Sequence, residues 1–136
     1  MGGAKFELEV LQVVLHYFLH LVFPAIIAYS FFRKEWKKVY FIFLSTLLVD
    51  LDHLLATPIF DPNRCSIQYH FLHTYYAMIA YVLLLFFKKP YRYIGIGLLL
   101  HMATDWIDCT IMYTKCKASF EDAPCFELFN IIFYYL

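Results

Sequence analysis

The sequence predicts an all-α polytopic membrane protein, a bundle of four transmembrane helices with a short C-terminal interfacial helix. Three observations carry this. Of the 136 residues, 62% are hydrophobic and the net charge is zero. The mean hydropathy of +0.62 lies far from the balance of a soluble domain. The apolar residues also fall into four segments near the roughly 20 residues that a span requires, which leaves no room for a separate soluble domain. A single domain over 1–136 is expected.

The first segment runs from Phe6 to Phe32 and stops at Arg33, Lys34, Glu35, Lys37 and Lys38. It is too long for a cleavable signal and no small-residue cleavage site follows it, so it is read as a retained span. The second, residues 39–56, ends in the string VDLDH. Pro58, Asp61, Pro62 and Asn63 then break the chain. The third, residues 70–87, stops at Lys88, Lys89 and Pro90, and the fourth covers 91–113. The apolar tail, residues 126–136, is half a span long and is expected at the interface.

Orientation follows from the cations, because short Lys/Arg-rich loops stay cytoplasmic. Arg33, Lys34, Lys37 and Lys38 mark one such loop, and Lys88, Lys89 and Arg92 mark the other. Both termini therefore face outward, on a periplasm-like side. Tyr69, Tyr75, Tyr76 and Trp106 read as an interfacial aromatic belt.

Ionisable groups inside such segments are costly and point to function. Here they converge in depth. At about 1.5 Å per residue, His16 and His20 lie roughly 12–20 Å below the outer end of span one, and Asp50 and His53 about 17–22 Å above the inner end of span two. His70 and His73 open span three from outside, while His101 and Asp105 lie from mid-membrane outward. Spacing adds a shared face on each helix, since residues three, four or seven apart project together. His16 and His20 are four apart, Asp50 and His53 three, His70 and His73 three, and His101, Asp105 and Asp108 form one stripe. Asp52 is turned about 200° from Asp50 on an ideal helix, so it joins only if the helix loosens there, or else orients a histidine from behind.

Imidazoles and carboxylates at common depth are metal ligands by type. The candidates are His16, His20, Asp50, His53, His70, His73, His101 and Asp105. They outnumber the four ligands of one zinc and so suit two ions, or one ion with orienting acids behind it. Zinc is the expected metal, with iron or manganese as alternatives. Ion pairs about 3.5–4 Å apart are typical of phosphoester hydrolases. Asp52 or Asp108 is placed as general base. Arg64, in the loop beside the outward mouth, would hold a phosphate bidentately or else anchor to headgroups or Asp61.

The strings HYFLH, VDLDHLLATPIFDPNRCS, HFLHTYY and HMATDWIDC resemble a small uncharacterised family of bacterial four-span membrane proteins. More distantly they resemble the YdjM-like membrane-bound metal-dependent hydrolases, related to zinc-dependent phospholipases C and single-strand nucleases. That resemblance implies Asp50, His53, His73, His101 and Asp105 as ligands, with His16 or His20 as the early histidine. Val49 stands where those hydrolases usually carry proline, and the pair His70/His73 is more closely spaced than theirs.

The expected activity is metal-assisted hydrolysis of a lipid or lipid-linked phosphoester, with membrane lipids as surroundings and substrate. A metal-binding structural, sensing or transport protein is the alternative from another class, and a di-iron oxidase the alternative enzyme. The chain has no adjacent histidine pair of the oxidase kind and few polar groups in its inner half for a transport path. No basic stripe suggests nucleic acid. No glycine-rich phosphate loop or nucleophile elbow is present, so nucleotide binding and serine-type hydrolysis find no motif. Cys65, Cys109, Cys116 and Cys125 all fall on the outward side, where disulfides form. Of three pairings, Cys65 with Cys109 and Cys116 with Cys125 is favoured.

Overall fold

Pro24 shapes the first helix. Proline has no N–H to give its i−4 carbonyl and its ring crowds that carbonyl, and just ahead of it the helix widens into a π-turn. The structure, a computed structural model, describes residues 2–55, 57, 59 and 65–119, with the side chains of 2–6, 8, 9 and 114–119 excepted. In it α1 (Gly2–Tyr17) runs through the π-turn Phe18–Val22 into α2 (Phe23–Phe31). The Phe23 N–H reaches back to the Phe18 carbonyl, a five-residue step, and the Tyr40 hydroxyl donates to the Leu21 carbonyl at 3.1 Å.

The second segment is one rod of two pitches: α3 (Trp36–Ser45) tightens into a 3₁₀ segment, Thr46–Leu55. The cause lies at the junction. Ser45 Oγ donates to the Ile42 carbonyl at 2.7 Å and Thr46 Oγ1 to the Phe43 carbonyl at 2.6 Å, competing with the helix for those acceptors. The expected helix over 39–56 is thus corrected to ten α-helical residues and ten 3₁₀ residues.

The third segment departs further from expectation. No helix starts at His70, whose backbone is extended at φ −92, ψ 144. Residues 65–70 form turns, Phe71–His73 a single 3₁₀ turn, and α4 begins only at Tyr75, running to Leu84. Thr74 caps it, accepting from the Ala77 N–H at 3.3 Å, the usual task of an N-cap hydroxyl. α5 (Tyr91–Ser119) is the longest helix and packs against α1, α3, α4 and the 3₁₀ segment.

Two small residues permit this packing. A Cβ at Gly95 would stand 2.8 Å from Leu84 Cβ and 2.9 Å from the Tyr81 carbonyl, and one at Gly97 would stand 2.8 Å from Thr46 Cγ2. Two residues apart on a helix, they serve opposite neighbours, α4 and the junction of α3 with the 3₁₀ segment. Ala28, Val39, Phe43 and Tyr93 fill the core at the charged-loop end. At the other end Val49, Cys65, Ile67, Tyr81, Met102 and Cys109 form a second core, closed by the Cys65–Cys109 disulfide.

Among the described residues there is no strand, and two helices are long and apolar enough to cross a membrane, Val10–Phe31 and Tyr91–Tyr113. Of the first, only 17% is buried inside the protein. The expected spans 39–56 and 70–87 do not pass that test as single helices, because a change of pitch interrupts one and turns replace the start of the other. Arg64, the Cys116–Cys125 pairing and the tail 126–136 lie outside the described residues.

Candidate metal centre

The changes of pitch set the site. In a 3₁₀ helix residues three apart eclipse and successive residues turn by about 120°. Asp50 and His53 therefore share a face, and Asp52 swings toward the turn segment instead of pointing away. There Asp52 Oδ2 accepts from the Leu72 N–H at 2.8 Å and lies 3.1 Å from His73 Nδ1. Sequence reasoning expected Asp52 to join only if the helix loosened; the helix instead tightens to 3₁₀ pitch there, and that turns Asp52 toward His73.

Four residues from three segments converge. Asp50 Oδ1 lies 3.1 Å from His101 Nε2 and 3.3 Å from His73 Nε2, while Asp105 Oδ2 lies 3.1 Å from His73 Nε2 and 3.3 Å from His101 Nε2. One ligand atom from each of the four falls within 4.8 Å of the other three, and the group can hold a metal ion. Around an ion bound at about 2.0–2.1 Å, tetrahedral ligands stand about 3.3 Å apart. The four edges above match that spacing. His73, His101 and Asp105 are buried, whereas the Asp50 side chain is 40% exposed, so the group is sealed on three sides and open on one.

Proton counting shows what the group lacks. Asp52 Oδ2 already accepts the Leu72 N–H, so it takes the proton of His73 Nδ1 as a second donor, and a neutral His73 turns a bare lone pair toward two carboxylates. A protonated His73 would answer the charge but not the geometry. Its Nε2 and Asp105 Oδ2 are both buried without a hydrogen-bond partner, although they stand 3.1 Å apart, because they are not aligned as donor and acceptor. Buried polar atoms left unpaired in this way call for an explanation. A divalent cation among them provides one, since two carboxylates balance its charge.

His20 lies against this group. Its Nδ1 lies 2.9 Å from the His16 carbonyl, and its Nε2 stands 3.1 Å from Asp105 Oδ1, to which it can donate, and 3.2 Å from Thr104 Oγ1. It thereby holds the far oxygen of Asp105. His16 is hydrogen-bonded through Nδ1 to Asp108 Oδ2, outside the four-residue group. A cavity of about 10 Å³ beneath the site is lined by His20, His101, Thr46 and Thr104 among others, room for about one water.

Of the eight residues expected as ligands, the structure brings Asp50, His73, His101 and Asp105 together. His53 belongs with Asp52 and His73 to a second group able to hold an ion. Its own nitrogens face the Asp50 carbonyl, Asp52 Oδ1 and Ser66 Oγ. His70 stacks on the His53 ring with centroids 3.8 Å apart. Thr104 and Ser66 were missed by sequence reasoning, which weighed only ionisable types.

A family model described as a family of unknown function (DUF6122) matches residues 10–112. No curated protein matches, and no solved structure matches.

Proposed function

From a chain that belongs to this family, whose matched span includes the whole four-residue group, we propose a membrane-embedded, metal-dependent hydrolase of a lipid or lipid-linked phosphoester. The observation that carries it is the buried, unaligned approach of His73 Nε2 and Asp105 Oδ2.

The membrane reading keeps four passes. Trp36–Leu55, with ten residues at about 1.5 Å and ten at about 2.0 Å, reaches about 35 Å, enough for a bilayer core of about 30 Å. The turn segment before α4 is irregular backbone at membrane depth, which is tolerated where protein buries it. Cys65, Ile67 and His73 there are at most 1% exposed. Lys89 meets Glu35 at 2.6 Å, so the two cationic loops lie at one end. That end is assigned to the cytoplasm and the site to the outer half.

Asp50, His73, His101 and Asp105 hold the ion, preferably zinc. A bound divalent cation supplies a Lewis acid and lowers the pKa of a coordinated water to about 7. Asp52 keeps His73 in the tautomer that presents Nε2, the common arrangement of a histidine ligand backed by a carboxylate. Both Asp52 oxygens already accept hydrogen bonds, so its role is orientation, and Asp108, whose Oδ1 has no hydrogen-bond partner, is the better proton acceptor. The exposed side at Asp50 gives substrate a way in, which favours catalysis over a structural ion. One ion fits better than a close pair, because opposite nitrogens of His73 would hold two ions about 6 Å apart, wider than the usual 3.5–4 Å. Arg64 keeps its proposed role as a phosphate clamp.

The test is elemental analysis of purified protein, followed by phospholipid hydrolysis with added zinc or manganese. One ion per chain and headgroup release are expected, both lost in Asp50→Ala. A chain that takes up no divalent cation overturns the reading, and a loaded chain that leaves phospholipids intact reduces it to a structural or sensing site.

A further inference from the structure

The metal reading leaves His53 with nothing to do, yet its surroundings are specific. Nδ1 faces Asp52 Oδ1 at 3.2 Å and, at 3.1 Å, the Asp50 backbone carbonyl, which can only accept. The ring proton therefore sits on Nδ1. Nε2 carries the lone pair, and 3.1 Å from it is Ser66 Oγ. The His70 ring lies flat on the His53 ring and fixes its plane.

A hydroxyl on the acceptor nitrogen of an imidazole whose other nitrogen is held by a carboxylate is the constellation that activates serine, known by geometry rather than by chain order. We propose that Ser66, His53 and Asp52 form a nucleophilic triad that transfers acyl groups from carboxylic esters of lipids. Among the described residues no strand-to-helix elbow presents Ser66, and the sequence showed no such motif. The presentation is made by a disulfide instead. Cys65, next to Ser66, is bonded to Cys109 of α5, and Ser66's carbonyl accepts the N–H groups of Tyr69 and His70, both at 3.3 Å. In the same turn Gln68 adopts φ 64, a strained value for a residue other than glycine, and its buried Nε2 has no hydrogen-bond partner, leaving an unused donor close by in the chain. The His53 side chain is 32% exposed, so the triad can be reached from outside.

The step balances. Ser66 Oγ bonds to the ester carbonyl carbon as its proton passes to His53 Nε2. The carbon–alkoxy bond then breaks and the leaving alcohol takes that proton. Water next attacks the acyl-serine, giving its proton to His53, which returns it to Ser66 Oγ as the carboxylic acid departs.

A fluorophosphonate reports the first half of this chemistry, since Ser66 Oγ bonds to phosphorus and fluoride leaves. The detergent-solubilised full chain is incubated with it, with and without a chelator, and the adduct is located by peptide mass. Labelling of Ser66 that survives metal removal is expected, with the rate falling at least 100-fold in His53→Gln, a size in line with loss of a general base. The adduct site on the native chain decides without any variant. No adduct, an adduct elsewhere, or an undiminished rate in His53→Gln overturns the triad. Because the metal reading is tested by ion content, either proposal can fail alone.

Discussion

Replacing Asp52 by asparagine separates orientation from ligation. Its Oδ2 holds the Leu72 N–H at 2.8 Å and His73 Nδ1 at 3.1 Å, and its Oδ1 faces His53 Nδ1 at 3.2 Å. Asparagine keeps one carbonyl oxygen for the first two donors, but its NH₂ then confronts a third. The carboxylate that strengthens His73 as a ligand is gone. Loss of such a partner weakens metal binding by about 10–100-fold, or about 1.4–2.8 kcal/mol. The assay is competition with a chromophoric chelator in detergent, read with far-UV circular dichroism and a melting curve. The expected result is a Kd weaker by that factor in a folded chain. Asp52→Ala should also lower the melting temperature, since the part-buried Leu72 N–H would lose its acceptor at a cost of about 1–3 kcal/mol. An unchanged Kd in Asp52→Asn would refute the reasoning, because His73 would then need no partner on Nδ1.

Cys65→Ser opens a ring of sequence separation 44, worth about 4 kcal/mol in the chain-entropy account; thermal unfolding should show that loss and ion content should fall with it. Gly95→Ala forces a Cβ to within 2.9 Å of a backbone oxygen and should destabilise by about 1–3 kcal/mol, measured by denaturant titration, with Gly95→Ser no better. Lys89 beside Glu35 lowers that carboxyl's pKa below 4.5, while Glu35 raises Lys89 above 10.5. The Glu35 contribution is present above its ordinary pKa and lost as pH falls through the lowered value, and the Lys89 contribution is lost as pH rises through the raised one. Melting curves of Glu35→Gln and the parent should therefore differ by a constant amount between pH 5 and 10 and merge in acid, with added salt shrinking the gap.

That acids and imidazoles from separate segments meet was readable from depth alone, because apolar surroundings leave such groups few other places to go. Which of them meet was not. His70 and His73 look equivalent at spacing three, yet Thr74 caps the helix behind them and puts both on a turn, where His73 enters the group and His70 stacks on His53. The hydroxyls of Ser45 and Thr46 gave a local hint of the change in pitch that turns Asp52 inward, but a periodicity argument on an ideal helix overlooks it. Pro24 was likewise visible, and its effect on His20 follows only once the π-turn is drawn. Ser66 carried no signal, since its partners are 13 and 14 residues earlier in the chain and its nearest motif is a cysteine.

The brevity of α4 bears on biogenesis. Ten residues rise only about 15 Å, half a bilayer core, and unwound backbone precedes them. In the four-pass arrangement proposed above, such a segment gains too little from lipid to partition by itself and enters the membrane docked on α5. The bare backbone at Gly95 makes that contact close, and the hairpin from Tyr75 to Tyr113, rather than either helix, becomes the unit that the insertion machinery releases.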